Sequence, residues 1–457
     1  MQELYKDFKE KVDFIDKFLL LLIISIPFLL ATSIFFADLI SSVAGIILIY
    51  IFFKKKNYLF KEIKTEIIFM VIFYLIILTS LLLTEYFINS FLASFFYFRY
   101  FLLSLSIYYL LKKYDFFIRI FSYSLIFTML IVLMDAFVQY FYGSNLFGYD
   151  SPKLHDTDLL ALKYVTGFFN EEKKLGSYLV RFLPLVLAVI FWHNIKRNNL
   201  LIISLILIIG SVIFLSSERT ALFIFFIITI AHFLIFKNKF KFMFLLTLTF
   251  ILLFFTHPQF SNKFINNTIA QIQAQTGNEL DKNNIKPILR FYSTEHENLG
   301  YTAIKIFEEN FLFGSGVKTF YHECHNLKKN KLKELAPTKR GNRLLCSTHP
   351  HSTYLQLLSD IGIFGFVLAL YLLYCVILIY FKHFKKICKN IEINISYYFV
   401  NLGVFISIFP LIPSGNIFNN WISLILFYIL GFWLFLKEKP HLKNCNNNKI
   451  KKYNNNN

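Results

Sequence analysis

Charge is what this chain has least of. Asp, Glu, Lys and Arg make up 16% of its 457 residues while 56% are hydrophobic, a balance that excludes a water-soluble domain and makes lipid the solvent. Acidic residues are the scarcer sign, 28 against 47 basic, which leaves a formal charge of +19. No small-residue cleavage site follows the first apolar run, which continues directly into a second. Residues 17–36 therefore read as a retained helix and not as a signal peptide.

What is abundant is apolar bulk, 58 Phe and 27 Tyr, arranged in runs. A bilayer core about 30 Å thick needs roughly 20 apolar residues per helical crossing. Twelve runs qualify, near 18–36, 38–53, 65–84, 92–111, 117–138, 175–193, 199–216, 220–236, 241–256, 354–381, 395–413 and 417–436. The expected fold is an all-α polytopic membrane protein with about 12 transmembrane helices. The basic residues follow this pattern, so they do not point to nucleic acid. Lys6, Lys9, Lys11 and Lys17, then Lys54 to Lys56 with Lys61 and Lys64, then Lys112 and Lys113, Lys196 and Arg197, Lys237 to Lys241, Lys382 to Lys389 and the tail occupy every second connection. By the positive-inside rule these segments and both termini are cytoplasmic. The connections 139–174, 216–219 and 257–353 then face outward. The expected organisation is a membrane domain over 1–256, a large periplasmic loop with short helices over 257–353, a second membrane portion over 354–436, and a disordered cytoplasmic tail over 437–457.

The long loop is uneven. Residues 271–286 are polar, whereas 294–311 place Leu299, Ala303, Ile306 and Phe307 at helical spacing. Thr294-x-x-Glu297 is expected as its capping box and Gly314-Ser-Gly316 as the turn that ends it. Of five cysteines, Cys375 lies in a run, Cys388 and Cys445 on the reducing side, and Cys324 and Cys346 in the outward loop, where they are disulfide candidates. A rival reading groups them with His322, His325, His349 and His351 as a zinc site, with spacing unlike a familiar finger. Pro350 disfavours helix at His349, and Thr353-x-x-Gln356 is expected to cap the tenth span. His351 then sits at the mouth of that helix, where the positive dipole end favours neutral imidazole; an interfacial polar residue is the plainer alternative. Arg219, in SSERTAL at the same face, suits phosphate held jointly by a guanidinium and a helix N-terminus, or simply snorkels. Arg290, in ILRFYS, adds an outward cation that alone reads as a solvated loop charge.

Together these residues carry a family resemblance. His351-Ser352, nine residues, then Gly362-Ile-Phe-Gly365 resembles the H-[NSQ]-x9-G-x-x-[GTY] signature of the bacterial O-antigen ligase family. The large loop ending in this His, an Arg after the preceding small turn, and an Arg early in the loop before Asn310 to Gly316 agree with it. Asp135, Gln139, Gly143, Gly148, Gly167, Asn170 and Gly176 are similar to upstream segments, whereas the charged cluster from Glu171 to Lys174 departs from the family. The resemblance implies an inverting, metal-independent glycosyltransferase of the C-type membrane fold (GT-C) in the inner membrane. It implies no cofactor and no metal, a glycan on undecaprenyl diphosphate as donor and lipid A-core as acceptor. His351 is the implied catalytic base, and Arg219 and Arg290 the implied diphosphate-binding pair. Two relatives sharing the donor chemistry stay open, the O-antigen polymerase and the protein O-oligosaccharyltransferase. A multi-pass transporter is the alternative from another class, although transporters place their ionisable residues nearer the midplane.

Overall fold

The computed structural model describes residues 8, 10–55, 58–114, 116–152, 164–193, 200–235, 239–257, 264–265, 269, 292–331, 344–389 and 393–438. The described residues form helices α1 (Phe14–Thr32), α2 (Ile34–Lys55), α3 (Lys64–Leu83), α4 (Phe87–Phe95), α5 (Phe98–Lys113), α6 (Phe117–Tyr142), α7 (Leu175–Trp192), α8 (Leu200–Leu215), α9 (Arg219–Ile235), α10 (Lys239–Thr256), α11 (Thr294–Glu309), α12 (Phe320–Lys331), α13 (Thr353–Cys388), α14 (Ile395–Ser407) and α15 (Asn420–Glu438). In lipid each backbone N–H and C=O must be satisfied within the chain, which long apolar helices achieve unaided.

Helices occupy all twelve apolar runs. Nine spans among the described residues, counting 87–113 as one, have the length and hydropathy to cross a membrane, while α8, α9 and α14 are apolar but shorter. The protein is thus a multi-pass membrane protein. Its inner helices are α7 and α15, with 89% and 83% of their apolar windows buried, against 17% for α10 at the edge. Phe14, Ile88 and Phe240 point outward, as side chains facing lipid do.

At one end of the bundle lie α11 and α12, which build a small second core. Leu299, Ala303 and Ile306 from α11 meet Phe320 and Leu327 from α12, with Leu355 of α13 against them. The cap of α11 stands one residue earlier than expected. Ser293 is extended, and its hydroxyl, not that of Thr294, accepts from the His296 N–H. The Cys324 and Cys346 sulfurs are bonded, with Cα atoms 5.4 Å apart, tying α12 to the segment entering α13. Residues 271–286 and the tail from 439 lie outside the described residues.

The fold turns on a break in α13. Gly362 has φ +69° inside the helix, which releases backbone groups that the segment after α11 takes up. The Ser315 N–H donates to the Ser359 carbonyl at 2.8 Å, the Gly316 N–H to the Asp360 carbonyl at 3.0 Å, and the Ile363 N–H to the Phe311 carbonyl at 3.0 Å. From α3, the Ser80 hydroxyl donates to the Asp360 carbonyl at 2.6 Å, and Thr84 bonds the Ser315 carbonyl. A Cβ on Gly362 would stand 2.3 Å from the Leu312 carbonyl oxygen, and one on Gly314 2.4 Å from Asp360 backbone. Both positions exclude a side chain, on grounds of φ and of space.

The expected capping box at Thr353 does not form. Ser352 is the N-cap without a side-chain bond, because tertiary partners claim both box residues. The Thr353 hydroxyl pairs with that of Ser414 at 2.8 Å, and the Gln356 amide donates to Asp360 Oδ2 and Asn416 Oδ1.

Gly362→Ala should destabilise the protein by roughly 1 to 3 kcal/mol or more, from strained φ and backbone collision. Melting of the detergent-solubilised protein measures it, with Gly415→Ala, whose Cβ meets Ile422 at ordinary contact distance, as the control. Equal melting of the two variants would refute the interlock. A second expectation concerns the cysteines: Cys324 and Cys346 should resist a maleimide in unreduced, denatured protein and react after reductant, and labelling of both before reduction would contradict the bridge.

Candidate functional site

The loop end of the bundle encloses a polar cavity of about 990 Å³. Five segments converge on it: Lys173 and Lys174 before α7 with Ser177 and Arg181 on it, the turn and helix start from Ser217 to Thr220, Lys318 after the glycine loop, Thr348 to His351 before α13, and the 413–419 connection. Among the described residues four non-glycine positions have positive φ, and three of them, Ser217, Lys318 and His351, line this cavity. Strain of that kind concentrates where a fold holds functional groups in place.

His351 owes its position to the connection after α14. Its carbonyl accepts from the Ser414 N–H at 2.9 Å, and the neighbouring Thr353–Ser414 hydroxyl pair fixes the start of α13. The imidazole is half-buried between two others, with ring centroids 4.1 Å from His349 and 5.6 Å from His296. Burial holds its pKa below the ordinary value; His296 lowers it further and Glu295 opposes. Desolvation and a neighbouring histidine thus favour the neutral imidazole. His349 is depressed further, to about 4, by burial and then by His351, and its Nε2 has no hydrogen-bond partner. Its Nδ1 meets the Thr348 hydroxyl at 3.0 Å.

Arg219 opens α9 and lines the same cavity as His351. The expectation that the two share one face is met in geometry. Arg290 lies outside the described residues. Glu218 beside Arg219 is buried and turned away from the opening, accepting from the Gly176 N–H at 2.6 Å, the Ser177 N–H at 3.0 Å and the Ser177 hydroxyl at 2.8 Å. Burial raises its pKa and these donors oppose the shift. It acts as a brace between the 216–219 turn and α7.

Several cavity residues were not singled out by sequence reasoning. Arg181 had a readable signal, being the one charge in an apolar run, and intramembrane ionisable residues are functional candidates by default. Lys318 had none, since loop folding brings it in, nor had His296, which reaches the site through its ring contact with His351. Asp360 sets Lys318 in place: its carboxylate accepts from Gln356, Ser359 and the Lys318 N–H. Burial lowers the Lys318 pKa, and Arg99 lowers it further while Asp38 opposes. Lys173 and Lys174 also line the cavity, so the charged cluster that departs from the family pattern contributes two cations there. Lys174 pairs with Glu172 of the same cluster, an exposed carboxylate.

Of the histidines in the zinc reading, His322, His349 and His351 line this cavity. His322 stacks on Tyr86 and His325 packs on Tyr321, while both thiols are bonded to each other. The upstream echoes are structural: Gln139 Oε1 accepts from the Thr166 and Gly167 N–H groups, and Asp135 accepts from the Leu146 N–H and the Asn145 amide. Together they fold the connection after α6.

A second cavity, apolar and about 320 Å³, runs along α3, α5, α13 and α15. Thr353 and Ile417 stand at the end beside the polar cavity; Phe73, Phe101, Leu372, Ile379 and Phe427 line its length, and Glu66, Lys382 and Lys437 its far end. The Thr353–Ser414 pair joins the two cavities.

The described residues thus form a multi-pass membrane protein with a cation-rich cavity at one end, a histidine of depressed pKa on its wall and an apolar cavity beside it. Residues 203–370, from α8 into α13, match the family model described as O-antigen ligase. The matched residues include Arg219, His351 and the Gly362 break. No curated protein matches this chain.

His351 should therefore titrate below the ordinary histidine value of about 6.5. His296→Gln removes a group that lowers its pKa and should move the titration up; Glu295→Gln removes a group that raises it and should move it down. Histidine ring NMR of the two variants reads both signs. Shifts in the same direction would contradict the opposed influence of His296 and Glu295 on this imidazole.

Proposed function

We propose that the protein is an O-antigen ligase, transferring a glycan from undecaprenyl diphosphate to a hydroxyl of lipid A-core. The observation that carries this reading is His351 and Arg219 on one cation-lined cavity inside the family-matched region. In the proposed orientation the cavity faces the periplasm from the bacterial inner membrane and both termini are cytoplasmic, as the alternation of lysines suggests. The fold would be of the GT-C type with twelve crossings.

The residues suit an inverting displacement. The acceptor hydroxyl oxygen attacks the anomeric carbon from the face opposite the diphosphate, and its proton passes to neutral His351. The bond from that carbon to the diphosphate oxygen breaks, and its electron pair leaves on the diphosphate. Arg219, with Arg290 as the partner implied by the family resemblance, is the proposed stabiliser of that growing charge. Guanidinium groups perform this without a divalent ion, and no cofactor is required because the lipid diphosphate is already activated. The apolar slot starting at Thr353 suits the polyprenyl chain, since it opens beside the place assigned to the diphosphate.

Deleting the gene and comparing lipopolysaccharide with the lipid-linked glycan pool tests the reading. Bare core with accumulated donor supports it. Core with one repeat would indicate the polymerase, intact lipopolysaccharide with lost protein glycans the protein O-oligosaccharyltransferase, and no glycan change a transporter.

At residue level, His351→Ala should lower transfer by about 10²- to 10⁴-fold with unchanged membrane abundance, and His349→Ala should be milder. Arg219→Lys should also be severe, because lysine keeps the charge but not the planar fork that grips two phosphate oxygens. Transfer assays on purified variants decide this; wild-type turnover by His351→Ala would end the base assignment.

A further inference from the structure

Arg181 stands in α7 as the one charged side chain between Leu175 and Trp192. It is 6% exposed, yet it lines the polar cavity, and its Nε has no hydrogen-bond partner. The carboxylate whose charge it feels is Glu218. That carboxylate is committed elsewhere, to Gly176 and Ser177, and among the described residues no ion pair joins it to Arg181. A buried cation without a directly bonded counter-charge is costly to keep, and an apolar side chain of similar volume would cost less. Beyond the attraction of Glu218, the charged residues that line the same cavity, Lys173, Lys174, Lys318 and Arg219, share the sign of Arg181.

We propose that Arg181 is a ligand-binding residue, whose guanidinium is held open to the cavity to grip the diphosphate of the lipid-linked donor together with Arg219. This rests on the donor class proposed above and adds a residue and a discrimination to it. Two guanidiniums from different helices, α7 and α9, suit two linked phosphates, each guanidinium being able to donate two parallel bonds to one phosphate. A monophosphate can engage only one such fork fully. Arg181 thereby adds a fork to those of Arg219 and the implied Arg290, and contributes to separating the diphosphate donor from a lipid monophosphate.

The test uses the full-length protein in detergent, with farnesyl diphosphate and farnesyl monophosphate as probes. Calorimetry measures affinity and unliganded melting monitors the fold. Wild type should prefer the diphosphate. Arg181→Met should reduce diphosphate affinity by about tenfold to a hundredfold, the range for hydrogen bonds to a charged group, and change monophosphate affinity less. Its unliganded melting temperature should stay level or rise, since the variant removes a buried cation with no directly bonded counter-charge; a structural arginine would show the reverse, lower melting with diphosphate affinity intact. Should the methionine variant fail to fold, Arg181→Lys serves, retaining charge but not the fork, with the same loss of preference expected. Wild-type binding that Arg181→Met or Arg181→Lys leaves unchanged overturns the role of Arg181 alone. Failure of wild type to bind farnesyl diphosphate overturns the donor reading and this proposal with it.

Discussion

The loop end of this molecule depends on one interruption of a helix. At Gly362 α13 gives up its regular backbone bonding, and the segment from Phe311 to Gly316 takes up the exposed groups. Backbone left unpaired in a membrane bundle is expensive, so the break and the segment require each other. Everything near the cavity follows from their union. Ser80 and Thr84 tie the joint to α3, Asp360 receives the Lys318 N–H, and α11 is held against the start of α13 through Leu299 and Leu355. His296 is brought to His351 by that packing.

This explains in physical terms why the family signature pairs a histidine with two glycines. The histidine is the proposed base, and the first glycine is the one residue type that lets the helix open with φ near +69° while backbone passes within contact of its Cα. Histidine and glycine sit at opposite ends of the same short helical stretch, Thr353 to Ile361, whose polar face is taken up with fixing its neighbours: Thr353 to Ser414, Gln356 to Asn416, Ser359 to Asp360. That stretch spans from the docking joint to His351.

Much of this was legible from the sequence, and the failures have causes. Apolar runs announce themselves because roughly twenty consecutive nonpolar residues have few other uses, so helices stand at all twelve. His351 and Arg219 were readable from motif and topology, and they do share a cavity. Both expected capping boxes failed: at Thr294 the cap falls one residue earlier, on Ser293, and at Thr353 tertiary hydrogen bonds that no window of sequence reveals displace it. Lys318 and His296 belong to loop segments whose approach to the cavity is set by the Gly362 joint, 44 and 66 residues away along the chain, and nothing local marks them. Arg181 was legible and passed over: a lone charge inside an apolar run is a signal wherever it occurs.

The treatment of charge elsewhere in the bundle sharpens the meaning of that cavity. Asp16 is buried near the opposite end and receives Lys113 and the hydroxyls of Tyr109 and Tyr114. Asp38 is met by both nitrogens of one side of the Arg99 guanidinium, by Tyr100 and by Asn420. Buried Asn401 receives Trp433 and donates to the Val376 carbonyl. The chain therefore has the means to satisfy buried polar groups in low-dielectric surroundings and uses them repeatedly. At the polar cavity the balance differs: five Lys and Arg side chains line it, and among the described lining residues the carboxylate, Glu218, is bonded to Gly176 and Ser177 as a brace. Where the rest of a structure is locally consistent, a place that departs from the rule is a candidate for function, and the form of the departure, positive charge in excess of the carboxylates among the described lining residues, suits the anionic donor proposed for it.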